Sequence, residues 1–143
     1  MPIRKIPPTA NTSMAVAASA LKANQARMRV IAENIANAQS TAKTPGGDPY
    51  RRQVPQMEAD PKAARGADGV KVAAIRPDMR DFRIVHDPGH PAADENGYVK
   101  MPNVDALVEA LDMREAQRAY EANLNVIETA RAMDARTLDL LRK

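Results

Sequence analysis

The sequence predicts a mainly α protein: two long terminal helices packing as an α-helical coiled coil, with a small irregular or β-rich middle segment. Three observations predict it. Met14, Leu21, Met28 and Ile35 recur every seven residues, the repeat of helices that wind about one another. A second, longer helical pattern fills residues 104–143. Between the two, residues 41–103 hold eight of the eleven prolines and all six glycines, the residues that break helices. The chain therefore divides into an N-terminal arm and helix (1–40), a proline- and glycine-rich middle (41–103) and a C-terminal helix (104–143).

In the first segment Pro2, Pro7 and Pro8 keep the opening residues out of a helix. Asn11, Thr12 or Ser13 can each cap a helix start. From there to Gln39 runs a helix of about 27 residues, ~40 Å long at 1.5 Å per residue. Ala17, Asn24, Ile31 and Ala38 fill a second seam beside the first. Arg4 and Lys5 ahead of Met14–Leu21, with Ala18-Ser19-Ala20 in it resembling a cleavage site, superficially suggest a signal peptide. The apolar stretch is short, rich in alanine and continuous with the helix, so no cleavage is expected.

The last segment starts behind Pro102, with Asn103 as the expected cap and Asp105 in the first turn, where the helix dipole favours an acid. Its pattern runs to Leu141, some 38 residues or ~57 Å. The apolar face collects Leu107, Leu111, Ala116, Ala119, Tyr120, Val126, Ile127, Ala130, Met133, Leu140 and Leu141, with Asn123 inside it. Opposite charges at i,i+3 (Glu115–Arg118, Arg118–Glu121, Glu128–Arg131, Asp139–Arg142) predict surface pairs, each contributing tenths of a kcal/mol. Arg142 and Lys143 suit the negative helix end.

The middle segment shows strand-like pieces at 50–54, 70–75, 82–85 and 98–101, with Asp68-Gly69 as a turn signal. They form either a small β-rich lobe or an extended arm.

Composition bounds the packing. The 143 residues hold 3% aromatics (Tyr50, Phe82, Tyr98, Tyr120), and much of the 44% hydrophobic fraction is alanine. Alanine favours helix but contributes little transfer free energy. Such helices need neighbours. Net charge is +3, distributed as +4, +1 and −2 over the three segments, so the ends, or copies of them, suit lying side by side. Cysteine is absent, which excludes disulfides and thiolate metal sites. No run of 18 apolar residues occurs, so direct membrane insertion is not expected.

Little in the chain suggests chemistry. His86 and His90 have ligand-like spacing, but Pro88 and Gly89 lie between them and no third histidine exists, so a solvated turn is expected and no metal or cofactor. Tyr50-Arg51-Arg52 could suggest nucleic acid. Acids balance the bases around it, so nucleic acid is not an expected partner, and Arg51 and Arg52 are placed at a protein interface instead. The methionines on helix seams are gap-fillers. No nucleophile–base pair, phosphate loop or carboxylate pair is evident, and the chain is not expected to be an enzyme. Leu21, Met28, Ile31 and Ile35 on the first helix, and Tyr120, Val126, Ile127 and Met133 on the second, form the expected assembly interface. Asn34, Asn37 and Asn123 beside these stripes are expected to select one packing register, although Asn37 also suits a helix end. A metal-dependent hydrolase and a soluble coiled-coil adaptor are the other readings.

Four blocks then carry a resemblance. SALKANQARMRVIAENIANAQST (Ser19–Thr41), PYRRQ (Pro49–Gln53), DPGHPAADENGYVKMPNV (Asp87–Val104) and AQRAYEANLNVIETARAMD (Ala116–Asp134) resemble, in this order, the axial family of the bacterial flagellum, and within it the proximal rod proteins. The family's Asn-Leu-Ala-Asn-like element reads Asn34-Ile35-Ala36-Asn37 here, isoleucine standing for the commoner leucine. The resemblance implies a structural subunit of the proximal rod, in a helical tube that surrounds the export channel and transmits torque. It implies partners among other proximal and distal rod subunits, MS-ring and rod-adaptor proteins and copies of the chain. It also implies export by the flagellar type III system without signal cleavage, and a place in the periplasmic rod of the basal body. The opening 13 residues are longer and richer in proline than in the family, and neither they nor the loop at 59–69 receives a role.

Overall fold

The structure is a computed structural model that describes residues 10–142. The expectations for Pro2, Pro7, Pro8, the Arg4–Lys5 pair and Lys143 lie outside those residues. Two helices flank four strands: α1 (Ala10–Ala36), β1 (Gln53–Ala64), β2 (Ala67–Pro77), β3 (Arg83–His86), β4 (Tyr98–Met101) and α2 (Ala106–Leu141). The class is mainly α, with terminal helices of 27 and 36 residues.

The helix ends differ from the expected ones for local reasons. Asn11, Thr12 and Ser13 lie inside α1, and the Thr12 hydroxyl donates to the Arg65 carbonyl at 3.3 Å. At the other end, helical geometry stops at Ala36. The Asn37 side chain donates to the Glu33 carbonyl at 2.8 Å and accepts from the Ser40 hydroxyl at 3.1 Å. The Glu33 carbonyl also accepts the Asn37 N–H at 3.1 Å, so the side chain adds a second donor there as the chain tightens into a turn. Asp105, not Asn103, caps α2, accepting from the Leu107 N–H at 3.0 Å and the Val108 N–H at 3.4 Å. Asn103 is engaged elsewhere, as described below. The four expected i,i+3 ion pairs are absent among the described residues, where Glu115 faces Arg27 instead; exposed long side chains gain too little from pairing to hold such a geometry.

The middle segment forms two small sheets of two strands, β1 with β2 and β3 with β4. The strand expected at 50–54 starts instead at Gln53 and continues to Ala64. Pro55 and Pro61 make that stretch read as a loop, but a two-stranded sheet is all edge, where proline is tolerated. The turn falls at Arg65-Gly66, with Gly66 at φ 80°, and not at Asp68-Gly69, which lies within β2. A two-residue connection makes β1 and β2 antiparallel. β3 and β4 are antiparallel with Val85 opposite Val99.

Packing divides the chain into two compact units. The first comprises the described residues up to Arg27, Gln56–Ala74 and the described residues from Glu115 onward. In it the helices run antiparallel. Arg27 meets Glu115 at 3.5 Å, while Ala10 and Ser13 share a groove with Val126, Thr129, Ala130 and Met133. The hairpin lies against α1 at Ser19, whose hydroxyl donates to the Val16 carbonyl at 2.7 Å and accepts the Val70 N–H at 3.0 Å. Gly69 makes this approach possible, because a Cβ there would stand 2.5 Å from that hydroxyl.

The second unit is Met28–Pro55 with Ile75–Arg114, and it buries Val30, Ile31, Ala38, Ala92, Val99 and Val104. Large side chains are scarce inside both units. The biggest fully buried ones are Glu109, Val30, Val99, Asn34 and Pro102.

Burial along each helix follows a seven-residue period. On α1 the buried set is Ala17, Asn24 and Ile31, continued by Ala38 in the turn that follows, with Ala23, Val30 and Asn34 beside it. On α2 it is Glu109, Ala116 and Ala130, with half-buried Asn123 at the intervening heptad position. The first seam of the sequence reading is the less covered one: Met14, Leu21 and Met28 are half-buried and Ile35 is exposed.

Candidate assembly interface

The second unit is organised by the YRRQ stretch between α1 and β1. Asn34, on the last full turn of α1, presents its amide to the peptide of Gln53: Oδ1 accepts the Gln53 N–H at 2.9 Å and Nδ2 donates to the Gln53 carbonyl at 2.8 Å. Oδ1 also accepts the Tyr50 hydroxyl at 2.7 Å, and Nδ2 reaches Glu109 Oε2 at 3.3 Å. Asn34 is fully buried, and its amide atoms are all engaged within the chain. Burial, then the charges of Glu33 and Glu109, push the Tyr50 phenol up from its usual range.

Arg52 stands at the centre. Its Nε donates to Glu109 Oε1, its Nη1 to Asp78 Oδ2 at 3.2 Å, and its Nη2 lies 3.7 Å from Asp112. Burial works against its charge, but the bonds to Glu109 and Asp78 outweigh this and raise its pKa. Its backbone is held too: the Arg52 N–H donates to Asn103 Oδ1 at 2.8 Å, and its carbonyl accepts the Asp78 N–H at 2.8 Å. That bond, with Asn103 Nδ2 on the Asp78 and Arg80 carbonyls at 2.9 and 3.1 Å, explains why Asn103 does not cap α2. Arg51 Nη1 grips the same two carbonyls at 2.8 and 2.9 Å, and its guanidinium lies 4.1 Å from the Phe82 ring centre. Arg80, bonded through Nε and Nη2, holds the Asp78 carboxyl well below the usual carboxylate range. In a buried pair such as Arg52–Glu109, loss of one partner costs on the order of 3–5 kcal/mol, because the other charge is stranded.

The expected interface residues therefore fall into groups. Asn34, Arg51 and Arg52 bond within the chain. Asn37 bonds its own helix end, and Asn123 donates to the Ala119 carbonyl at 2.7 Å. Ile31 is buried; Leu21, Met28, Tyr120 and Ile127 are half-buried; Ile35, Val126 and Met133 are exposed. Exposed with them on α2 are Leu107, Val108, Leu111, Leu138, Leu140 and Leu141. Covering a leucine or methionine side chain of this kind is worth about 1.5–3 kcal/mol, and this helix leaves a row of them uncovered. The histidines serve locally: His90 Nδ1 accepts the Ala92 N–H at 3.0 Å, and the His86 ring meets Tyr98 edge-on at 4.9 Å.

Tyr50, Gln53, Asp78, Asn103 as a brace, and Glu109 escaped the sequence reading. Tyr50, Gln53 and Asn103 lie in blocks that carried the resemblance without a role, and Glu109 left a signal as the acid that begins the heptad series Ala116, Asn123, Ala130.

Comparison with known proteins gives two matches to families. Residues 14–42 match the family described as Flagella basal body rod protein. Residues 95–140 match that described as Flagellar basal body rod FlgEFG protein C-terminal. The chain is similar along most of its length to proteins named flagellar basal-body rod protein FlgC. The relative from Agrobacterium fabrum is 50% identical over 127 residues, 89% of this chain and 91% of that protein. The Salmonella typhimurium relative is 42% identical over 125 residues, 87% and 92% of the two chains. The Bacillus subtilis relative is 36% identical over 147 residues, 92% and 98%.

Proposed function

The chain belongs to the FlgC family of flagellar basal-body rod proteins, and from that premise we propose that it is a structural subunit of the proximal rod. It works by assembly and not by turnover. Copies of the chain, with other proximal and distal rod subunits and the MS-ring and rod-adaptor proteins, build a helical tube that encloses the export channel and transmits torque. A head-to-tail contact that does not close on itself produces such a tube. Export proceeds through the flagellar type III system without signal cleavage, and the rod stands in the periplasm.

The observation that carries this reading is the exposure of large apolar side chains along α2, from Leu107 at 70% to Leu141 at 77%. Within a subunit the two helices pair as an antiparallel coiled coil through narrow stripes; the seven-residue period of burial on both supports this. The outer stripes belong to neighbours. Leu21, Met28 and Ile35 on α1, and Tyr120, Val126, Ile127 and Met133 on α2, form the assembly surface around buried Ile31. Asn34, Asn37, Arg51, Arg52 and Asn123 hold that surface in shape and register.

Replacing Leu138 and Leu141 together by glutamate tests the reading. Exported subunits should accumulate, but electron microscopy of basal bodies should find no rod beyond the MS ring. Rods of normal length carrying this variant, or closed particles in place of open-ended tubes from the parent chain, would overturn it.

A further inference from the structure

The first two turns of α2 are built inside out. At about 100° per residue, Leu107 and Leu111 stand roughly 160° either side of Glu109 on the helix wheel. Yet Glu109 is 1% exposed, Leu107 70% and Leu111 58%. The opposite rotation would cover two leucines and hydrate a carboxylate, which apolar burial and charge solvation both favour. On the same side of the helix the half-buried Met113, Tyr120 and Ile127 oppose it only in part. The positions that follow Glu109 at heptad steps are Ala116, Asn123 and Ala130, two small side chains and an amide that bonds its own helix.

What keeps Glu109 inside is polar. Arg52 Nε holds Oε1, and Asn34 Nδ2 meets Oε2 at 3.3 Å. Arg52 cannot follow a turning helix. Its guanidinium is tied to Asp78 and its backbone to Asn103. Asn34 is equally anchored on Gln53.

We propose that Glu109 is a positioning residue. Clasped by Arg52 and Asn34, it fixes the rotational setting of α2 so that Leu107 and Leu111 face outward. Resting on the rod-subunit reading for its purpose, this setting presents the leucines to neighbouring subunits. The clasp trades stability of the lone chain for a defined outer face, the specificity role attested for some buried polar groups in helix pairs.

The test uses the full chain, which has no cysteine of its own, with single probes Leu111→Cys and Ala116→Cys. Ala116 lies one heptad beyond Glu109 and is 0% exposed. With the clasp intact, the thiol at 111 should react with a maleimide at least about 10-fold faster than that at 116. Arg52→Met with Glu109→Leu removes the clasp without stranding a charge. In that background the contrast should fall below about threefold while helix content, read by circular dichroism, is unchanged. Arg52→Lys, which keeps the charge, should preserve most of the contrast. A full contrast in the double variant would overturn the proposal. So would a rise of both thiols to the free rate with loss of helix, because the clasp would then hold the fold and not the rotation. The labelling is done on unassembled protein, so its outcome is separate from that of the rod-subunit reading, which rod growth scores.

Discussion

Asn34 pairs with Gln53 as one β-strand residue pairs with another, its side-chain amide standing in for a peptide group at 2.9 and 2.8 Å. The end of α1 is thereby joined to the start of β1. Asn34→Ala leaves the Gln53 N–H and carbonyl without this partner inside the protein, and a destabilisation of about 1–3 kcal/mol is expected in urea unfolding. Asn34→Asp keeps the shape but cannot donate to the Gln53 carbonyl and places a second carboxylate beside Glu109. It should cost at least as much, and equal stability of Asn34→Asp and the parent would contradict the pairing.

Gly69 tests the seat of the hairpin on α1. An added methyl meets the Ala63 Cβ and the Ser19 hydroxyl. Gly69→Ala should therefore destabilise by about 1–3 kcal/mol and abolish slow hydrogen exchange at the Val70 N–H, which Ser19 Oγ accepts. Unchanged protection at Val70 would show that the hairpin does not rest there.

Asp78 contributes to the acid sensitivity of the second unit. Its pKa lies below the ordinary 3.8 because of Arg80 and Arg52. The stabilisation is thus complete above the unfolded value and is lost as pH falls through the folded one. Stability measured from pH 7 down to pH 2 should fall more gently in Asp78→Asn than in the parent, and the variant should already be weaker at neutral pH. Parallel pH profiles would contradict this.

Ile35 is exposed in the single chain, so arginine there should change unfolding free energy by no more than about 0.5 kcal/mol. On the proposed assembly surface a charge on that stripe would be buried in the rod. Ile35→Arg should be exported normally and block rod growth, scored by swimming and by electron microscopy of basal bodies. Normal assembly of this variant would remove α1's outer stripe from the interface.

The terminal helices, the strands at 70–75 and 98–101 and the thinness of the core were legible because heptad spacing, β-branched runs and alanine content are local properties of a sequence. What was not legible is long-range. Asn103 looks like a helix cap until Arg52 and two carbonyls compete for its amide. Arg51 and Arg52 look like surface cations until Phe82, Asp78 and Glu109 are brought to them. The apolar pattern of α2 puts Leu107 and Leu111 on one face with Ala116. The fold separates them, because a buried ion pair can outweigh leucines in deciding which side of a helix faces in. Strand β1 was hidden by Pro55 and Pro61, which edge positions accept.

The central claim is that this chain leaves its helices unfinished until other subunits cover them. Amide hydrogen exchange over residues 131–142, compared between purified chain and assembled rod, tests it most directly. In the purified chain these amides should exchange nearly as fast as in an unfolded peptide, and in the rod they should be protected by at least about 100-fold. Strong protection in the lone chain, lost only in a sharp cooperative melt, would contradict the claim.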